Sequence, residues 1–438
     1  MLNVKDFGAI GNGIDDDTDA INKAFAAVRT QKKSLYFPGG TYRCDKLDVD
    51  RHVLALNGGG LNNITIMGDG ATSHITTSVS SASTLLYVWA YAKNTNLKIT
   101  GLKFSSTHAP ATQFYQDAIF IQGTAGSNFE NVAITLNEFS GFGNTIGTQG
   151  IAGLNIDRNR FLSPRGHDDS QNNTKPAVFV WLHDNANGYN RSVTITNNFA
   201  SGYTGTAPIG SLVTKRAMDG FVIARVYGMT ISGNTTENFS EEHYIVGEPY
   251  TFPDTTAPVL ISNNDMNGAI PIGSYAQDGS RKISNYGIRS DASYVTMEKN
   301  VMRNITLGIL VRTIDLPTLN SKSINILNNT IICATDAANY AVRSGVYVVG
   351  GVGNPVKDLR IEGNKIYSSI KTPGNYEAVI IANVNGTTVI NNLIDQTVNA
   401  GSSAAVGTAF AYKKSFNVIH RDNTVTGPLI PLSGLLLN

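Results

Sequence analysis

One short pattern returns along most of this chain. An apolar residue is followed by two variable residues, an asparagine, one more variable residue and, usually, another apolar one. It reads ITLNEF from Ile134, IDRNRF from Ile156, ITNNFA from Ile195, ISGNTT from Ile231 and ISNNDM from Ile261. It continues as MEKNVM from Met297, ILNNTI from Ile326, IEGNKI from Ile361 and VINNLI from Val389. The asparagines stand at 137, 159, 198, 234, 264, 300, 329, 364 and 392. Steps of roughly 20–40 residues are the signature of a solenoid, in which each repeat buries its apolar face against the next. The repeated segments are short, β-branched and alternating, which predicts strands. No helical stretch of ten or more residues follows the first thirty, which argues against a doubly wound sheet or a barrel ringed by helices.

Short strands recurring once per coil predict an all-β, single-stranded parallel β-helix. It would have about twelve coils, each hydrogen-bonded to the next across the ~4.8 Å spacing of paired strands. Asparagine suits a fixed turn position in two ways. It tolerates the left-handed conformation of a tight turn, and its amide can bond the same residue in the next coil as a ladder. These asparagines are therefore read as structural, neither catalytic nor glycan acceptors. A second strand aligns as DAIFI from Asp117, PAVFV from Pro176, DGFVI from Asp219 and EHYIV from Glu242, then YGIRS, LGILV, SGVYV and EAVII. Its third and fifth residues should point inward and its fourth outward. That leaves Phe120, Phe179, Ile245 and Tyr347 as apolar outward positions suited to a subunit interface. Cys44 and Cys333 fall too many coils apart to form a disulfide.

The opening stretch VKDFGAIGNGIDDDTDAINKAF crowds glycines and aspartates before a helical pattern. Gly8, Gly11 and Gly13 have the wrong spacing for a dinucleotide loop, and no Gly-Lys-Ser/Thr follows. Asp15, Asp17 and Asp19 alternate as in an EF-hand, but Ala20 and Ala26 stand where that loop needs Gly and Glu. The remaining reading is a helix near 18–29, capped by Asp17 or Thr18, with Ala20, Ile21, Ala24, Phe25 and Val28 as its apolar stripe. Such a helix can cover the open end of a β-helix, whose strand edge would otherwise invite aggregation. Residues 1–45 are thus assigned to an N-terminal cap of helix plus first coil, 46–427 to the β-helix body and 428–438 to a C-terminal tail. A net charge of +1 with only 15% charged residues offers no basic face for nucleic acid, and no apolar run is long enough for a membrane helix.

The opening stretch followed by LYFPGGTY resembles the N-terminal signature of pectate-lyase-like right-handed parallel β-helix proteins, and most of all the tailspike depolymerases of bacteriophages. The signature spans about forty residues, and the coil pattern extends the likeness over most of the chain. The resemblance implies a homotrimer in a virion tail, outside the cell, that binds and cleaves bacterial surface polysaccharide such as capsule or O-antigen. It also implies attachment to other tail proteins through a segment preceding Met1. It carries no catalytic residue onto a position of this chain.

The chemistry must then be sought along the coil face. Glycoside hydrolysis needs two carboxyl groups, and sugar binding needs aromatic platforms and polar partners. The stretch from Arg165 to Glu248 is richest in these, with RGHDDS, VWLHDN, KRAMDG and SEEHYIVGEPY. Asp219 and Glu242 take the same place in successive coils, so they are the first candidates for a catalytic pair about 5 Å apart. Glu248 and His243 are further catalytic candidates. Trp181, Arg225, Arg216, Tyr244, Asp168, Asp169 and His183 are candidates for binding substrate. No metal site and no cofactor is expected, since the His-Asp-Asp run at 167–169 has too few assured ligands. A lyase acting on a uronate is the alternative, with Lys215, Arg216, Arg225 or Tyr244 as base or cation. A fibre that binds carbohydrate without cleaving it is the third.

Overall fold

The computed structural model describes residues 1–79, 81–107, 116–123, 129–162, 167–168, 174–175, 177–182, 190–202, 218–223, 227–239, 242–247, 258–268, 286–312, 322–333, 344–351, 355–368, 376–396, 407–427 and 430–433. It comprises two compact units, Met1–Met229 and Thr230–Asn438. Each is a run of right-handed parallel β-helix whose coils contribute one strand to each of three parallel sheets.

The first unit starts with the cap. Its helix runs Thr18–Gln31, and Ile21, Ala24, Phe25 and Val28 are buried as the stripe requires. The cap differs from expectation in which aspartate does what. Asp17 makes no capping bond. Its carboxylate turns back and accepts the N–H groups of Ile10 (2.6 Å) and Gly11 (3.0 Å), pinning the glycine loop. Asp16 takes over the cap by accepting from the Thr18 N–H at 3.0 Å. Gly11 is needed there, because it has a φ of 71° and a Cβ on it would lie 2.8 Å from the Tyr42 ring. The helix closes the sheet edge with its side chains. Asn22 donates to the Val53 carbonyl (3.2 Å) and accepts from the Ala55 N–H (3.1 Å), as a neighbouring strand would. Arg29 donates to the Asn57 carbonyl at 2.7 Å.

Behind the cap, identical side chains stack coil upon coil. Ile99, Ile134, Ile156 and Ile195 stand in register in the first sheet, all fully buried. In the second sheet Phe104, Phe139 and Phe161 are in register with ring centroids 5.3 Å apart at each step. The third sheet takes His52–Asn57, Thr84–Trp89, Asp117–Gln122, Asn144–Gln149, Ala177–Leu182 and Met218–Ile223 in that order. The second unit repeats the scheme. Ile261, Met297, Ile326, Ile361 and Val389 form its first-sheet core column. Its third sheet begins with Glu242–Val246, Tyr286–Ser290, Leu307–Arg312 and Ser344–Val349. Cys44 and Cys333 are both buried and unbridged.

The asparagine ladder is present in both units, but the left-handed residue is the one before it. In the first unit the Leu102 N–H donates to Asn137 Oδ1 and the Asn137 N–H to Asn159 Oδ1 (both 3.0 Å). In the second, Asn264, Asn300, Asn329, Asn364, Asn392 and Asn423 continue in the same way. Positive φ falls on Leu136, Arg158, Asn197, Asn263, Lys299, Asn328 and Asn391. The ladder residue must aim its amide inward to the stack, so its predecessor makes the bend.

A second difference is one of register. Val178, not Pro176, stands opposite Asp219, and Asn144 stands opposite Val178. The NTIGTQ coil was not recognised, and an apolar run such as AVFVWL can be slid by two residues without losing its alternation. Phe179 consequently lies inside, 1% exposed, with its ring 5.4 Å from Phe161, and Trp181 takes the outward place. Ile245 is also buried within the single chain. Of the four apolar positions offered for a subunit interface, Phe120 and Tyr347 alone keep partial exposure.

Candidate functional site

In the second unit Glu242 opens the third-sheet strand and stands opposite Tyr286. Its side chain is 9% exposed and its Oε1 accepts from Arg289 Nη1 at 3.4 Å. Arg289 Nη2 reaches Asp291 Oδ2 at 3.1 Å, and Arg312 Nε reaches Asp291 Oδ1 at 3.2 Å. Four charges of alternating sign thus link three coils. Burial works against the charge on Arg289, but Asp291 and Glu242 outweigh it and hold its pKa up. Burial pushes Asp291 upward, and its two arginines offset only part of that. Arg289 Nε has no hydrogen-bond partner among the described residues. The cluster presents a held carboxylate and a guanidinium with a spare donor.

His243 and Tyr244 follow Glu242 into the core. Both are fully buried. His243 Nδ1 lies 2.6 Å from Thr236 Oγ1, its ring packs 4.9 Å from Phe239, and burial pushes its pKa down to about 3. It is a neutral core imidazole. Burial likewise pushes the Tyr244 hydroxyl up. Neither ring presents itself to a chain lying on the outer face.

Asp219 belongs to the first unit, where its backbone pairs with Val178; its side chain lies outside the described residues. Asp168 pairs with Thr174 in a short antiparallel ribbon, and nothing further of its side chain is described. Asp169, His183, Lys215, Arg216, Arg225 and Glu248 lie outside the described residues. Trp181 is part-exposed on the third sheet, in register with Gly147 and Val222.

The first unit joins Phe120 and Trp181, already named from the sequence, to residues that the sequence pattern did not single out. Tyr87, Phe120, Gly147 and Trp181 form one outward column of the third sheet. His52 stacks on Tyr87 at 3.9 Å and 12°, and Tyr87 on Phe120 at 6.1 Å and 17°. Trp89, Gln122 and Gln149 form the next column. The Tyr87 hydroxyl donates to Gln122 Oε1 (2.5 Å), and Gln122 Nε2 donates to Gln149 Oε1 (3.3 Å). At the head of these strands is Asp117. Burial pushes its carboxyl up to about 8, with a hydrogen bond to the Asn144 side chain opposing. The signal was available in TLLYVW and NTIGTQ, two coils whose fourth and sixth residues read as an aromatic-and-amide face once aligned. Among the described residues one group has metal-ligand spacing, Asp48, Asp50 and His52, whose ligand atoms lie within 4.8 Å of one another. A turn explains their gathering, since Asp48 Oδ1 accepts the N–H groups of Asp50 (2.9 Å) and His52 (2.8 Å).

Residues 1–207 match the family described as rhamnogalacturonase A/epimerase, pectate lyase-like. Over those residues, somewhat less than half of its length, the chain is similar to pectate-lyase-like parallel β-helix proteins. The mannuronan C5-epimerase AlgE1 of Azotobacter vinelandii is 38% identical over 92 residues, 18% of this chain and 6% of that protein. The chain therefore aligns with only a small part of the curated relatives it matches. Among solved structures, the A-module of the A. vinelandii mannuronan C-5 epimerase AlgE6 gives a TM-score of 0.58 at 16% identity, covering 98% of this chain and 100% of that one. The Dettilon tailspike protein gives 0.60 at 16% identity, covering 89% of this chain and 66% of that one. At such identities these two likenesses are of fold.

Proposed function

We propose that the chain is a polysaccharide-acting enzyme of the tailspike type, a glycoside hydrolase that cleaves a bacterial surface polysaccharide laid along the outer face of the third sheet. The observation that carries this reading is Glu242, a carboxylate on that sheet held at 3.4 Å by Arg289 and 9% exposed. The aligned repeat of the sequence offers Asp219 as the second carboxyl, and a retaining hydrolase uses one carboxyl as nucleophile and the other as acid and then base. Arg289 fixes the position of the Glu242 carboxyl group through Nη1. Two tailspike likenesses support the reading, the Dettilon protein and the HK620 tailspike whose structure holds a pentasaccharide. Assembly as a homotrimer in a virion tail belongs to the same reading; light scattering that returned a one-chain mass would remove it.

The test is reducing-end release from a panel of purified capsular polysaccharides. Glu242→Gln and Asp219→Asn should each lower turnover about 10²–10⁴-fold, the usual contribution of a positioned acid or base. Glu377→Gln is the control, since Glu377 pairs with Lys413 at 2.7 Å far along the sheet of the second unit. Parent-like turnover in both variants would remove the pair and move attention to Glu248, Asp168 and Asp169.

One observation favours a second reading. The family match names epimerases, and the aligned relative at 38% identity acts on mannuronan. A lyase or C5-epimerase removes the C5 proton of a uronate, and Arg289 with its spare Nε donor is suited to a sugar carboxylate. Products separate the two: an unsaturated sugar absorbing in the ultraviolet marks elimination, and a new reducing end without it marks hydrolysis.

A further inference from the structure

The outer face of the third sheet in the first unit holds buried polar atoms that nothing satisfies. Asp117 Oδ1, Asn144 Oδ1 and Gln149 Nε2 are buried and have no hydrogen-bond partner among the described residues. Asn144 and Gln149 are 4% and 2% exposed. An unmet buried group costs about 1–3 kcal/mol, so three on one face point to a ligand rather than to the fold. Asn144 and Gln149 flank Gly147 on one strand, and Asp117 stands opposite Asn144. Gly147 leaves a slot there. A Cβ on it would lie 2.4 Å from the Phe120 ring and 3.4 Å from Asp117 Oδ1. The Phe120 ring therefore lies over the slot and shields the polar atoms, with Tyr87 on one side of it in the column and Trp181 on the other.

We propose that this slot is a binding site for a neutral sugar unit, which displaces the Phe120 ring, stacks between Tyr87 and Trp181 and hydrogen-bonds Asp117, Asn144 and Gln149. The site rests on the reading that the chain handles polysaccharide and does not depend on which bond it cuts. Its chemistry is uncharged. The described residues of the two columns are Tyr87, Phe120, Gly147 and Trp181, and Trp89, Gln122 and Gln149, with no lysine or arginine among them. Burial keeps the Asp117 carboxyl protonated at neutral pH, so it offers a hydroxyl donor beside an acceptor. A sugar face has apolar C–H groups for the rings and hydroxyls that both give and take hydrogen bonds. A uronate would bring an anion to columns with no cation among their described residues.

The test is affinity gel electrophoresis of the full chain in gels containing dextran, mannan, galactan or polymannuronate. Retention by at least one neutral polymer is expected. Trp181→Leu and Gln149→Leu should each weaken it by about tenfold, a stacking or hydrogen-bond loss. Glu377→Gln, at an ion pair outside both sites, should retain like the parent. Circular dichroism melts confirm folding, and Asn144→Asp, which keeps the shape, is a second variant if either leucine variant fails to fold. Retention only by polymannuronate, retention by none of the four, or parent-like retention in the folded variants would overturn the site. Retention without any cleavage would instead break the hydrolase reading and leave this site standing.

Discussion

Asn300 and Gln149 are both side-chain amides buried on a β-helix, and they end in opposite states. Asn300 donates to the Ile261 carbonyl (2.9 Å) and to Asn329 Oδ1 (3.0 Å), and it accepts from the Asn264 N–H (3.1 Å) and Asn264 Nδ2 (2.9 Å). Gln149 accepts one bond from Gln122 and leaves its own Nε2 unmet. The ladder turn satisfies every amide by repeating one residue in one conformation. The outer face of the third sheet changes residue at each coil and leaves donors, acceptors and charges with partial partners. A protein that violates polar satisfaction at a few places does so where it binds or reacts. The turn holds the satisfied amides, and the sheet face is where the proposed chemistry lies, in the same coils.

Removing a ladder amide should have the largest effect on stability. Asn300→Leu leaves the Asn264 N–H, the Asn264 amide and the Ile261 carbonyl short of a partner, at about 1–3 kcal/mol each. Chemical denaturation should show a loss of several kcal/mol; a parent-like midpoint would erase the contrast between turn and sheet. Next come two titrating groups with opposite signs. Asp117 has its folded pKa raised to about 8, so its contribution is fully present below the unfolded value of about 4 and is lost as pH rises through 8. Asp117→Asn should therefore flatten the fall in melting temperature between pH 5 and pH 9. His243 has its folded pKa lowered to about 3, so stability is lost as pH falls from about 6.5 toward 3. His243→Leu should remove part of the acid limb and leave the alkaline one. Identical pH profiles in either variant would show that the group titrates as in the unfolded chain. The smallest effect is expected at the Lys413–Glu377 ion pair, whose lysine is 54% exposed. Glu377→Gln should change the melting midpoint by well under about 1 kcal/mol, and less still in high salt.

The ladder was legible because its constraint is local. Nine coils each need an amide at one place, so the residue repeats and shows in a single sequence. The outer face was not legible, because nothing in the fold requires its residues to repeat. Tyr87, Phe120, Gly147 and Trp181 share a column yet share no residue type that a pattern could find. The two-residue slip at PAVFV has the same origin, since only loop length fixes where an alternating apolar run sits. His243 shows the limit from inside. Its neighbours in the aligned column, Gly287, Gly308 and Gly345, have no side chain, so the sequence gives no hint that this position points into the core. A Cβ on Gly287 would lie 2.7 Å from Met302 Sδ, which shows that it does.

Every rung of the asparagine ladder is handed the same way. The amide nitrogen of one coil always donates to the oxygen of the coil that follows it in the chain, as from Asn300 to Asn329, Asn329 to Asn364 and Asn364 to Asn392. Side-chain amides carry dipoles comparable to the ~3.5 D of a peptide unit, and aligned head to tail they add. Each unit thus has a polar seam along its turn, negative toward the earlier coil and positive toward the later one. A coil spliced in from elsewhere would mend this seam in one orientation only. The repeat can be lengthened or shortened by whole turns, but never reversed.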